Sequence, residues 1–96
     1  MIDGKASDFI DKITFQEEAV VYNGKKYFFH GLIYDPNNKN YSFEIHLWDS
    51  NNNYVDTVYK CIAETQDDCI KKVLHEPIIE GKCFWAIEQE MTWIEW

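Results

Sequence analysis

The sequence predicts an α+β domain, a four-stranded antiparallel β-meander followed by one or two helices packed on the sheet, with a short C-terminal strand. Three observations predict it. Turn signals divide the first two thirds of the chain at Asn23-Gly24, at Asp35-Pro36-Asn37-Asn38-Lys39-Asn40 and at Asp49-Ser50-Asn51-Asn52-Asn53. The segments between them are rich in β-branched and aromatic residues, which suit a pleated, half-buried surface. Beyond Thr65 the apolar spacing changes to that of a helix.

In chain order, Ser7 to Lys12, with Phe9 and Ile10, suits one helical turn. Strands are expected over Ile13 to Tyr22, Lys25 to Tyr34, Tyr41 to Trp48 and Tyr54 to Ala63. Asn-Gly tolerates positive φ at both central positions of a two-residue hairpin turn, so Tyr22 should oppose Lys25. Opposed residues share a face, and a one-residue slip exchanges the faces of a whole strand. With Tyr34 against Tyr41 and Trp48 against Tyr54, the inner face holds Ala19, Val21, Phe28, Leu32, Phe43, Ile45, Leu47, Val55, Tyr59 and Cys61. The second face takes Tyr27, Phe29 and Ile33 with Trp48 and Tyr54, together with Glu44, His46 and Asp56, and Glu44 opposes Lys60. His30 falls inward and His46 outward, so the two imidazoles are not expected to meet.

Thr65 is the expected N-cap of a helix whose first turn carries Asp67 and Asp68, where the helix dipole favours acidic groups. Ile70, Val73 and Leu74 form its apolar stripe, Lys71, Lys72 and His75 complement its far end, and Pro77 stops it. In the tail, Phe84, Ile87 and Met91 fit a helix from about Lys82 to Glu90, and Thr92 to Trp96 alternates as a strand. These two elements either fold over the second face or leave it open.

The chain has 96 residues, 46% hydrophobic and 27% charged, which is enough for one domain at 1–96 to fold unaided. Cys61, Cys69 and Cys83 are too few and too irregularly spaced for a disulfide framework, and they read as reduced thiols. Met1 to Ser7 shows no basic region followed by an apolar run of the secretory kind, and no apolar run is long enough to span a membrane, so the expected location is cytoplasmic. A formal net charge of -8 opposes any grip on a phosphate backbone, which argues against nucleic acid as a partner and for a basic protein.

The chemical inventory is thin. The chain contains no glycine-rich phosphate loop, no Gly-x-Ser-x-Gly elbow, no His-Glu-x-x-His and no Cys-x-x-Cys. No cofactor and no metal site is expected, because the histidines and cysteines do not match ligand spacings. Glu44, His46 and Asp56 on one face are the nearest approach to an acid–base cluster. Aspartates beside Cys69 disfavour a thiolate at that helix start.

Tyr34-Asp35, Tyr41-Ser42-Phe43 and the Thr65-Gln66-Asp67-Asp68 helix start resemble parts of the HicB-like antitoxin domain, over two short stretches. That family's Pro-Asp-x-Pro-Gly-Cys segment is missing and its strand count before the helix differs, so no family is assigned on these residues.

Aromatic residues make up 17% of the chain, more than a small core absorbs, and aromatics concentrate at interface hot spots. The expected function is a small acidic protein-binding module of inhibitor, immunity, antitoxin-like or regulatory type, using Tyr27, Phe29, Glu44, His46, Trp48, Tyr54 and Asp56. Self-association through the same face is a further expectation. The rival is a small-molecule binder or minor hydrolase with an aromatic-lined pocket near Glu44 and His46. The absence of catalytic motifs points away from an enzyme.

Overall fold

Phe9 and Ile13 stand one helical turn apart, so a helix puts both on one face, and both are fully buried. The computed structural model, which describes residues 6–94, carries them on α1 (Ala6–Phe15). The helix is longer than the single turn expected over Ser7 to Lys12, and it takes Ile13 from the expected first strand. Four of the strands follow in a meander-like path: β1 (Glu18–Tyr22), β2 (Lys25–Phe29), β4 (Asn40–Trp48) and β5 (Tyr54–Ala63), with the short β3 (Ile33–Asp35) between β2 and β4. The chain then forms α2 (Gln66–His75), α3 (Phe84–Ile87) and β6 (Thr92–Ile94). The architecture is α+β, with an antiparallel six-stranded sheet and three helices among the described residues.

Asn23 and Gly24 adopt φ of 55° and 75°, and Tyr22 opposes Lys25 as their turn requires. β2 and β3 both pair with β4, along successive parts of one side, while β5 pairs with its other side. β6 pairs with the free edge of β1. At the β3–β4 turn the Asp35 carboxylate accepts from the Asn37 and Asn38 backbone amides and the Asn38 side chain. The Asn38 side-chain bond is the largest of the influences that hold the Asp35 carboxyl below its ordinary pKa.

The expected uninterrupted second strand does not form. Phe29 opposes Ile45 and Ile33 opposes Ser42, so the chain advances four residues on one strand against three on its neighbour. The extra residue lies at His30–Leu32, where Gly31 takes φ +91°, a conformation that glycine adopts without a Cβ penalty. The consequence is a face exchange in β2: Tyr27 and Phe29 point into the core, and Phe28 points to the second face. β5 contains two further irregularities, which leave Val55 and Val58 without opposed partners on β4. Asp56 therefore opposes Leu47, and Glu44 opposes Lys60 as expected.

All three helices pack on the face formed by Val20, Tyr22, Tyr27, Phe29, Phe43, Ile45, Tyr59 and Cys61. Phe9 of α1 meets Phe29 edge-on at 5.2 Å and stacks on Phe84 of α3 at 5.8 Å. Trp93 of β6 meets Phe9 edge-on at 5.1 Å, so the tail closes the same core. Burying Phe9, Phe29 and Phe84 contributes about 1.5–3 kcal/mol for each side chain.

The start of α2 is as expected. The Thr65 side chain accepts from the Asp68 amide at 3.1 Å, satisfying one of the amides that the first helical turn leaves without a partner. Thr65→Ala is expected to cost about 1 kcal/mol, read as a lower urea midpoint at unchanged slope. The stripe facing the core is centred on Cys69 and Val73, with Ile70 and Leu74 partly buried at its margins.

α3 is shorter than the helix expected over Lys82 to Glu90. A tight turn at Glu80-Gly81, with φ of 51° and 75°, bridges Ile79 to Lys82 and delays the helix to Phe84. The expected final strand is realised over Thr92–Ile94; Glu95 and Trp96 lie outside the described residues. Because β6 extends the sheet edge, and the helices share one layer, no described element covers the second face. No helix among the described residues is long and apolar enough to cross a membrane.

Candidate functional site

The open face is built from β-sheet rows whose members share one side. One row runs Ile94, Ala19, Phe28, His46, Thr57, and the next runs Thr92, Val21, Lys26, Trp48, Tyr54. Phe28 and Trp48 are diagonal neighbours on adjacent strands, and their rings stack at 5.0 Å with 26° between planes. Tyr54 stands edge-on to His46 at 5.2 Å, and its hydroxyl is 2.8 Å from Thr57 Oγ1. His30 lies 5.5 Å from His46 between ring centroids.

His46 Nε2 is 3.1 Å from Glu44 Oε1, with both side chains partly exposed. The pair sits two residues apart on β4, the spacing that puts side chains on one face of a strand. It adds a polar, charge-capable element beside the aromatic surface. The Nδ1 of His30 and the Nε1 of Trp48 are buried without hydrogen-bond partners. Unsatisfied buried polar atoms are uncommon, and these two fall within the same cluster.

Of the residues expected to form this surface, Glu44, His46, Trp48 and Tyr54 come together. Tyr27 and Phe29 do not: the slip at Gly31 turns both into the core, where they are 2% and 0% exposed. Asp56 is exposed, but the β5 irregularities set it opposite Leu47, whose face is the helix-covered one, so it does not join Glu44 and His46. In their place stand Phe28 and His30, and the expectation that the imidazoles stay apart is overturned. The available signal was Gly31 itself, because an isolated glycine inside a strand pattern marks a bulge.

Catalysis needs an enclosed, water-poor site around the reacting groups. Among the described residues, neither of two cavities that open on the surface is lined by Glu44 or His46. One, of about 380 Å³, lies between α1 and α2. The other, of about 270 Å³, borders Trp48 beside Lys25, Lys26 and Asp49 at one end of the sheet. No group of three or more potential metal ligands converges among the described residues. The arrangement is an aromatic cluster on one face of the sheet with the Glu44–His46 pair beside it. The chain matches no known family, no curated protein and no solved structure.

Proposed function

We propose that the chain is a small acidic protein-binding module, of inhibitor or regulatory type, whose contact surface is the helix-free face of the sheet. The observation that carries this reading is the cluster of Phe28, Trp48, His46 and Tyr54 on a face that no described element covers. Large aromatics combine apolar area with few rotatable bonds, and they supply much of the binding energy at protein interfaces. The net charge of -8 favours a partner with basic flanks and speeds its approach at low salt.

A pull-down from the source cells identifies the partner, and titration of purified variants then tests the surface. Tyr54 is 56% exposed, so Tyr54→Ala leaves the core intact. That variant is expected to weaken binding by tenfold or more, about 1.4 kcal/mol, and the association rate to fall with added salt. Unchanged affinity in both Tyr54→Ala and Trp48→Ala sinks the reading.

Self-association rests on a different observation. β5 pairs on one side only, and Tyr54, Val55, Val58 and Ile62 on it are all exposed. A free edge invites a further strand, but the two irregularities in β5 interrupt its regular ladder, a common device against such pairing. A monomer in sedimentation at micromolar concentration leaves the hetero-partner reading in place. A dimer that survives Tyr54→Ala replaces it with a β5-edge interface.

A further inference from the structure

In the layer between sheet and helices, Cys61 on β5 and Cys69 on α2 bring their sulfurs to 3.6 Å. Both positions are set by regular structure. Cys61 opposes Phe43 in the β4–β5 ladder, and the Cys69 amide donates to the Thr65 carbonyl in the first turn of α2. Both thiols are free and belong to the apolar core, with residue exposures of 8% and 0%. Forming a disulfide asks the sulfurs to close by about 1.5 Å, a movement within reach of side-chain torsions.

We propose that Cys61 and Cys69 are a redox-active thiol pair, converted by a small peroxide into an intramolecular disulfide that ties α2 to β5. The Cys61 thiolate attacks one peroxide oxygen: an S–O bond forms, the O–O bond breaks, and the departing hydroxide takes up a proton as water. The Cys69 sulfur then attacks the Cys61 sulfur. An S–S bond forms, the S–O bond breaks, and the Cys69 thiol proton leaves with the hydroxyl group as a second water. The two thiols together lose two electrons and the peroxide gains two.

The surroundings assign the order of attack. The hydrogen bond shared with Cys69 lowers the Cys61 thiol to about 7 against the opposing effect of burial; Tyr59 and Lys72 also favour its thiolate, and Glu76 disfavours it. The same contact raises the Cys69 thiol, and burial adds to the rise. Cys61, 8% exposed against 0% for Cys69, is also the sulfur nearer to solvent, so it is assigned the attack and Cys69 the resolution. Tyr59, whose hydroxyl donates to Glu76 at 2.8 Å, links this corner to the end of α2. Burial also selects the oxidant, since a peroxide reaches a core that a bulky disulfide does not.

The test treats folded wild-type protein and Cys83→Ser with hydrogen peroxide, followed by intact mass and peptide mapping. The expected result in both is loss of two hydrogens, a cross-linked Cys61–Cys69 peptide and a melting temperature several degrees higher, all reversed by dithiothreitol. Cys69→Ser is expected to stop at a sulfenic acid on Cys61, trapped by dimedone. Three intact thiols after treatment, a cross-link through Cys83, or a Cys61–Cys69 cross-link obtained only in denaturant overturns the proposal. Wild-type mapping decides the matter even where a serine variant fails to fold.

Discussion

Phe29→Ala is expected to lower the stability of the fold by about 3–5 kcal/mol, the range for deleting a fully buried phenylalanine side chain. Phe29 is 0% exposed and lies opposite Ile45. It meets Phe9 edge-on at 5.2 Å and Phe43 at 6.3 Å. Removing its ring leaves a cavity where α1 and the central strands join, and Phe9, which also bears on Phe84 and Trp93, loses a neighbour. At 96 residues a loss of this size lowers the melting temperature by about 12 °C or more. Urea titration at unchanged slope checks it, with Tyr54→Ala as the exposed control, expected to stay within about 0.5 kcal/mol of wild type. A loss below about 1 kcal/mol in Phe29→Ala means that Phe29 faces solvent, as an unbroken second strand requires, and the face assignment fails with it.

That result bears on how far this fold is legible from residue order. Asn23-Gly24 and the two asparagine-rich turns specify their own backbone geometry, and the strand boundaries around them agree closely with expectation. Thr65 with Asp67 and Asp68 is equally local, because a cap and a first-turn charge act on the adjacent amides. Face assignment propagates differently. It passes along each strand with period two, so one unrecognised insertion at Gly31 reverses Tyr27, Phe28 and Phe29 while leaving their strand intact. Glu44, His46 and Trp48 lie on β4, which has no such insertion, and their grouping survives. The length of α1 depends on Phe9 and Ile13 finding Phe29, Phe84 and Trp93, contacts distant in sequence. The Cys61–Cys69 approach likewise arises only when α2 is laid across β5.

Gly31→Ala is expected to destabilise the fold by about 2–4 kcal/mol, through two separable costs. The first is conformational: at φ +91° an L side chain is strained. The second is steric, because a Cβ at this position stands 3.1 Å from the Gln16 carbonyl oxygen and 3.2 Å from its carbon. Those are backbone atoms at the end of α1, so relief requires moving the helix that anchors the core. Gly24→Ala isolates the first cost, since Gly24 has φ +75° and a Cβ added there meets nothing within 4 Å. The difference between the two variants in urea melts measures the contact with Gln16; equal losses contradict it. The chain has one other escape, which is to expel the bulge and slip β2 against β4 by a residue. That slip drives Phe28 into the core and Phe29 out of it, and it separates Phe28 from Trp48. Gly31→Ala protein that remains folded should therefore keep the near-ultraviolet circular dichroism of the Phe28–Trp48 stack, because the slip would also carry Lys26 into the core and Tyr27 out of it, which costs more than the added methyl does.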